Sequence, residues 1–182
     1  MSAAKVVGWM RNDPVRWELL GHVRDLALPD CWIGAGFVRN AVWCRLHGMT
    51  ANLTGDVDVL WFDRRAASEA NDRAIEARLQ TVVSGVEWSV RNQARMHLRN
   101  GDPAYTSTEN AMRFWPETAT AIAVRRTDAD ECDIIAPFGL DDLLELKLRA
   151  AGTFAKRKRS IFNRRVRDKG WLVQFPKLHL AN

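Results

Sequence analysis

The stretch DCWIGAGFVRNAVW, residues 30–43, is followed shortly by GDVDV, residues 55–59, and these two segments decide how the chain reads. Cys31, Trp32 and Ile33 form a short apolar run suited to a buried strand, which enters the turn Gly34-Ala35-Gly36. Beyond the turn, Val38, Ala41, Val42 and Leu46 recur at helical spacing, and His47-Gly48 closes the helix with a C-terminal glycine. Successive strand residues alternate faces, so Asp56 and Asp58 share one surface while Val57 and Val59 turn to the core.

Two carboxylates on one strand face repel each other. Either they lie in solvent at a sheet edge, or a hard divalent cation compensates them, as Mg²⁺ does when held by one or two carboxylates and substrate phosphates. Gly34 and Gly36 have two readings as well. They let strand and helix pack closely, or they let backbone N–H groups and the positive helix end approach an anion. Together, the acidic strand and the glycine turn make the two halves of a phosphate-handling site. Arg39, on the first helical turn, either reaches a phosphate or pairs with the aspartates. Asn40 braces the turn or contacts a ribose. Asp133, in the apolar-acid-apolar run Cys132-Asp133-Ile134, is the candidate third carboxylate, with a solvent-facing hairpin residue as the alternative.

Outward from these segments, residues 14–26 read as an amphipathic helix with Pro14 in its first turn. Residues 64–83 read as a helix, and residues 86–96 as a strand whose end could equally turn helical. Ser107 looks like the cap of a short helix reaching Phe114. Residues 118–124 read as a strand that forms a hairpin with residues 132–135, and residues 140–151 as a further helix. The order of elements predicts an α/β (α+β) chain with a mixed sheet flanked by helices. One domain is expected over residues 1–182, with a basic helical segment from about 140 to 182.

The chain has 182 residues, 47% hydrophobic and 27% charged, which fits a globular class and argues against disorder. No apolar run is long enough for a bilayer crossing and no secretory pattern opens the chain, so a cytoplasmic protein without a membrane partner is expected. The three cysteines lack CxxC spacing and read as small apolar residues. His47 and His97 have no ligand-spaced partners. The net charge of +5 is concentrated in KRKRSIFNRRVRDK, residues 156–169, read as a helix with Ile161, Phe162 and Val166 inward or as a nucleic-acid stripe. Most tryptophans fall on apolar faces and read as core. Asn92, Gln93 and Arg95 either line a pocket or hydrogen-bond a sheet end.

The order Gly-x-Gly at a helix start, Arg39, Asp-x-Asp on the next strand and an isolated acid on a later one resembles the DNA polymerase beta-like nucleotidyltransferase superfamily. WIGAGFVRNAVWCRLHG (32–48), GDVDVLWFD (55–63), VRNQARMH (90–97), FWPETATAIAVR (114–125) and IIAPFGLDDLL (134–144) resemble more closely a small bacterial nucleotidyltransferase-like family once catalogued as a domain of unknown function. The resemblance runs from Trp32 to Gly170-Trp171, nearly the whole chain.

What the resemblance implies is a nucleotidyltransferase-like mixed sheet flanked by helices, with Asp56 and Asp58 holding Mg²⁺ or Mn²⁺. Gly34, Ala35 and Gly36, with Arg39 and Asn40, would bind the nucleotide, and Asp133 would be the third acid, attending a second metal. Where the superfamily often has Gly-Ser or Gly-Gly, this chain has Ala35, so a phosphate-contacting hydroxyl is absent. The expected activity is transfer of a nucleoside monophosphate from an NTP to an acceptor that the sequence leaves open: small molecule, protein or RNA. The alternative is a catalytically weak or inactive nucleotide- or RNA-binding module. Oligomeric state is not readable from the sequence.

Overall fold

The computed structural model describes residues 2–181. The apolar triplet before the glycine turn is strand β1 (Trp32–Gly34), and β2 (Val57–Trp61) runs antiparallel beside it. On the other side of β1 lies β4 (Ala123–Arg126), also antiparallel. β3 (Trp88–Asn92) pairs in parallel with β2, and β5 (Cys132–Ile135) antiparallel with β4, giving a five-stranded mixed sheet of order β3-β2-β1-β4-β5.

Strand alternation divides the core. Ile33, Val57, Val59, Trp61, Val90 and Val124 enter the larger cluster, while Trp32, Leu60 and Ala123 meet Met112 and Ala121 on the opposite face. Of the helices that supply the larger cluster, four come first in the chain. They are α1 (Ser2–Arg11), α2 (Pro14–Arg24), α3 (Gly36–Leu46) and α4 (Glu69–Val82), with Val6, Met10, Leu20, Val38, Trp43, Ile75 and Leu79 buried. Each such large apolar side chain gains roughly 1.5–3 kcal/mol on burial. Local capping sets the helix starts. Asp13 accepts from the Arg16 amide at 3.0 Å ahead of Pro14, and Ser68 from the Asn71 amide at 3.2 Å. The helix expected from residue 64 therefore begins at Glu69.

The ambiguous end of the 86–96 segment resolves into β3 followed directly by α5 (Gln93–Asn100), because the Asn92 carboxamide caps the Ala94 amide at 3.0 Å. The Ser107 cap holds, starting α6 (Thr108–Met112). Two expectations need correction. Residues 118–124 are not one strand: a 3-10 turn at Thr118–Thr120 precedes β4. The helix expected over 140–151 stops as α7 (Asp141–Leu144), and the chain continues as β6 (Lys147–Arg149).

At Leu146 the backbone turns to φ 58°, which ends helical hydrogen bonding. Beyond it Leu148 and Ala150 alternate into the core. The partner that makes β6 a strand is β7 (His179–Ala181), paired in parallel, so the helix-like pattern is overridden by a segment far along the chain. Between them lie α8 (Arg159–Asp168) and α9 (Trp171–Gln174). Phe162 and Val166 are buried and Ile161 is half-buried. Trp171 and Phe175 pack edge-on to Trp43 of α3, ring centroids 6.0 and 5.3 Å away, which docks the C-terminal segment against α3. Among the described residues no helix is long and apolar enough to cross a membrane.

Candidate active site

The glycine turn and the acidic strand meet. Asp56 precedes β2 and Asp58 lies within it, paired across to Gly34 of β1, so the acids sit at the end of β1 from which α3 departs. A cleft of about 430 Å³ opens there, lined by Ala35, Gly36, Arg39, Asn40, Thr54, Gly55, Asp56, Asp58 and Thr120, and on its other wall by Arg165, Lys169, Trp171 and Gln174.

The loop that delivers the acids is fixed from below by Arg16, a buried arginine. It donates to the carbonyls of Phe37 at 3.0 Å, Ala51 at 2.6 Å and Asn52 at 3.3 Å, and pairs with Asp13 at 2.6 Å. One guanidinium thus joins α2, the head of α3 and the loop before Asp56. Asn40 adds a second tie, its Nδ2 donating to Thr54 Oγ1 at 3.4 Å while its Oδ1 accepts from Arg39 Nε and Nη2 at 3.2 and 3.0 Å. These bonds tie Asn40 to Arg39 and to the loop before Asp56.

Arg39 is buried, stacked against the Trp171 ring at 4.6 Å and the Trp43 ring at 5.2 Å, with Nη1 donating to Thr120 Oγ1 at 3.1 Å. Its hydrogen-bond partners are neutral. Burial lowers its pKa to about 10, opposed chiefly by the charge of Glu117, so it stays a cation at neutral pH. Burial, and then the charge of Asp56, push the Asp58 carboxyl up to about 6, against the pull of Ser89, Arg39 and Lys169. Among the described residues neither Asp56 nor Asp58 is ion-paired through a hydrogen bond, and no cluster of three or more His, Cys, Asp or Glu is arranged for a metal ion. The donors present are two hard carboxylates that repel each other and feel Arg39 and Lys169 without a direct ion pair to either.

The turn itself is strained. Ala35 adopts φ 52°, ψ −121°, a region that favours glycine, while its amide donates to Ile122 O at 3.0 Å and its carbonyl accepts the Arg39 amide at 3.0 Å. Ala35→Gly is expected to stabilise the fold by about 1 kcal/mol, read as a thermal midpoint a few degrees higher. An unchanged or lower midpoint would show that the alanine is not strained. At Gly36, which lines the cleft, an added Cβ would lie at ordinary contact distance, 3.5 Å from Arg39 Nη2.

The remaining expected residues fall elsewhere. Gly34 does not line the cleft. A Cβ there would lie 2.8 Å from Leu60 Cδ1 and 3.1 Å from the Ile122 carbonyl, so this glycine serves sheet packing. Asp133 is not brought to the cleft either. It sits on β5, three strands from β2 in the sheet order, roughly 14 Å at the usual strand spacing. Its carboxylate accepts from Arg125 Nε and Nη2 at 2.9 and 2.8 Å, directly across the hairpin. Asn92 and Arg95 bond the far end of the sheet through Asp63 and Asp72, not the cleft.

Sequence reading also passed over the second wall, Arg165, Lys169, Trp171 and Gln174, and the acid behind it, Glu117, whose side chain is 0% exposed. A lone glutamate between Pro116 and the apolar run TATAIAV carried the available signal, since a charge in such surroundings requires a partner.

The site is thus a mixed sheet whose central strand turns through glycine into a helix, facing one acid just before the neighbouring strand and one within it. The family described as Nucleotidyltransferase matches residues 21–180, and the chain belongs to that family. Among solved structures it is similar to an NMR structure described as revealing a CCA-adding enzyme head domain, at 28% identity and TM-score 0.87, covering 98% of this chain and 95% of that one. It is also similar in fold to a CCA-adding enzyme in complex with CTP (16% identity, TM-score 0.61, covering 98% of this chain and 43% of that one). A tRNA-processing enzyme with CTP shows the same likeness (17%, 0.58, covering 90% and 43%), so the chain spans less than half of these two proteins. A comparison with curated proteins finds no match.

Proposed function

We propose that the cleft binds a nucleoside triphosphate with a divalent cation, Mg²⁺ or Mn²⁺, and that the chain transfers the nucleoside monophosphate to an acceptor hydroxyl, releasing pyrophosphate. The observation that carries this reading is the convergence of Asp56 and Asp58 with Gly36 and Arg39 in one cleft. Two hard, unpaired carboxylates fit one such ion shared with substrate phosphates, not an all-protein cage. Held by Asp56 and Asp58, the ion would supply positive charge that neutralises charge developing in the transfer.

The chain's own residues supply the rest. Asp56 and Asp58 hold the ion. Arg39, kept charged and rigid between two indoles, offers fixed positive charge to the phosphates, and Lys169 adds a second cation from the opposite wall. Asn40 and Arg16 hold the loop so that these groups need little reorganisation.

Titration calorimetry with each Mg·NTP is the test, followed by label transfer from α-labelled NTP to small-molecule, protein and RNA fractions. Binding and covalent labelling are expected, both lost in an Asp56→Asn/Asp58→Asn double variant. No binding of any NTP, or equal binding by the double variant, removes the basis of this reading. Binding without labelling would favour a nucleotide-binding module, the alternative that Ala35 keeps open by placing no hydroxyl at the turn. Labelled RNA would fit the exposed cations Arg164, Arg167 and Lys169 of the α8 region.

A further inference from the structure

We propose that Glu117 is a positioning residue that orients Arg165, beside Arg39, to hold the outer phosphates of the nucleoside triphosphate, an inference that rests on the reading of the cleft given above. Glu117 stands on a fixed point of the backbone. Its carbonyl accepts from the Thr120 and Ala121 amides at 3.3 and 3.2 Å, and the residue bridges Ala150 beyond β6. The fully buried carboxylate takes Arg165 Nε on Oε1 at 2.7 Å and Nη2 on Oε2 at 3.3 Å. This side-on pairing uses one edge of the guanidinium and leaves Nη1 uncommitted among the described residues.

Arg165 is 37% exposed and lines the cleft with Arg39, Lys169 and Asp58. Two guanidiniums brought together at a partly buried wall repel each other, and the Arg165 charge does work against that of Arg39. Glu117 is the acid that offsets both. A buried carboxylate so placed adds little net stability compared with an apolar residue of its size, so its consequence lies in what it holds at the cleft. With the two acids and Arg39 on one wall and Arg165 and Lys169 on the other, the cleft matches a ligand that combines a cation with a polyphosphate. Arg165 would then contribute to binding of a triphosphate and not of a monophosphate, whose outer phosphates are missing.

The experiment measures affinities of the full chain for Mg·ATP, Mg·CTP, Mg·GTP and Mg·UTP, for the corresponding monophosphates, and for Mg·tripolyphosphate. Arg165→Gln is expected to weaken the tightest Mg·NTP and Mg·tripolyphosphate about tenfold or more and its NMP less than about twofold. Glu117→Gln should follow the same pattern, and in the Arg165→Gln background it should cost clearly less than alone, because it acts through Arg165. Equal weakening of triphosphate and monophosphate, unchanged triphosphate binding by Arg165→Gln, or multiplicative losses in the double variant would each overturn the proposal while leaving the cleft's reading intact. If the unaltered chain binds none of the probes, both fail. Where Glu117→Gln does not fold, Glu117→Asp takes its place: the carboxylate drawn back by one methylene should lower Mg·NTP affinity and spare the NMP, and unchanged affinity overturns the proposal.

Discussion

Asp58→Asn is expected to reduce nucleotide transfer by roughly 10³-fold, about 4 kcal/mol of transition-state stabilisation, and at the same time to make the metal-free fold more stable. The two effects come from one cause. Burial and the neighbouring Asp56 raise the Asp58 pKa to about 6, so at neutral pH the folded chain carries a carboxylate that its surroundings disfavour. Between pH of about 4 and 6 the folded state binds this proton more tightly than the unfolded state, and stability falls as pH rises through that window. Above pH of about 6 the penalty is fully present. Asparagine removes it, and once solvent screening at this half-buried position is allowed for, the gain is about 1 kcal/mol.

The check is a pair of melting curves in the presence of a chelator. The variant should melt a few degrees above the unaltered chain at pH 7.5, and the difference should vanish near pH 4. A variant less stable at pH 7.5 would mean that Asp58 is compensated in the fold, which would contradict the proposal that it holds a cation. Unimpaired transfer by the variant would contradict the role itself.

Asp72→Ala is expected to produce the largest loss of stability, about 3–5 kcal/mol. Asp72 lies on α4 with its side chain 0% exposed. Its Oδ1 accepts from Trp61 Nε1 and from the Asn92 amide, each at 2.9 Å, and its Oδ2 accepts from Arg95 Nε at 3.0 Å and from Arg95 Nη2. Alanine would leave two buried donors unsatisfied and the Arg95 guanidinium without its counter-charge. It would also untie α4 from β2 and β3. Against a typical total of 5–15 kcal/mol this is a large fraction, and urea denaturation should show it as a lower midpoint. Asp72→Asn, which can keep the Oδ1 acceptor, should cost less. Because this network lies at the end of β2 and β3 remote from Asp58, the still-folded fraction should bind Mg·NTP as before. A loss under about 1 kcal/mol for Asp72→Ala would show that the network is not a structural tie.

The acidic strand and the glycine turn were legible because both are local: alternation aims Asp56 and Asp58 to one side, and a strand running through glycine into a helix places the turn within reach. Within that stretch, Ala35, Gly36, Arg39 and Asn40 line the cleft and Gly34 does not, a distinction that needs the Leu60 side chain across the sheet. The second wall was not legible, because Arg165 and Lys169 reach the cleft only through the packing of Trp171 and Phe175 on Trp43.

The same rule about isolated acids in apolar runs pointed to Asp133 when it applied to Glu117. Asp133 is opposite Arg125 in a hairpin register that no local pattern reveals, whereas Glu117 is enclosed. Helix α1 was passed over for a similar reason. Its buried residues, Val6 and Met10, make too sparse a stripe to stand out before the partners that cover them are known.

The docking of α8 and α9 also bears on the order in which the protein is made. Synthesis delivers the carboxylate pair and the glycine turn before Arg165, Lys169 and Gln174, and β6 has no strand partner until His179–Ala181 arrives. A nascent chain therefore displays its acids well before the second wall of the cleft can form.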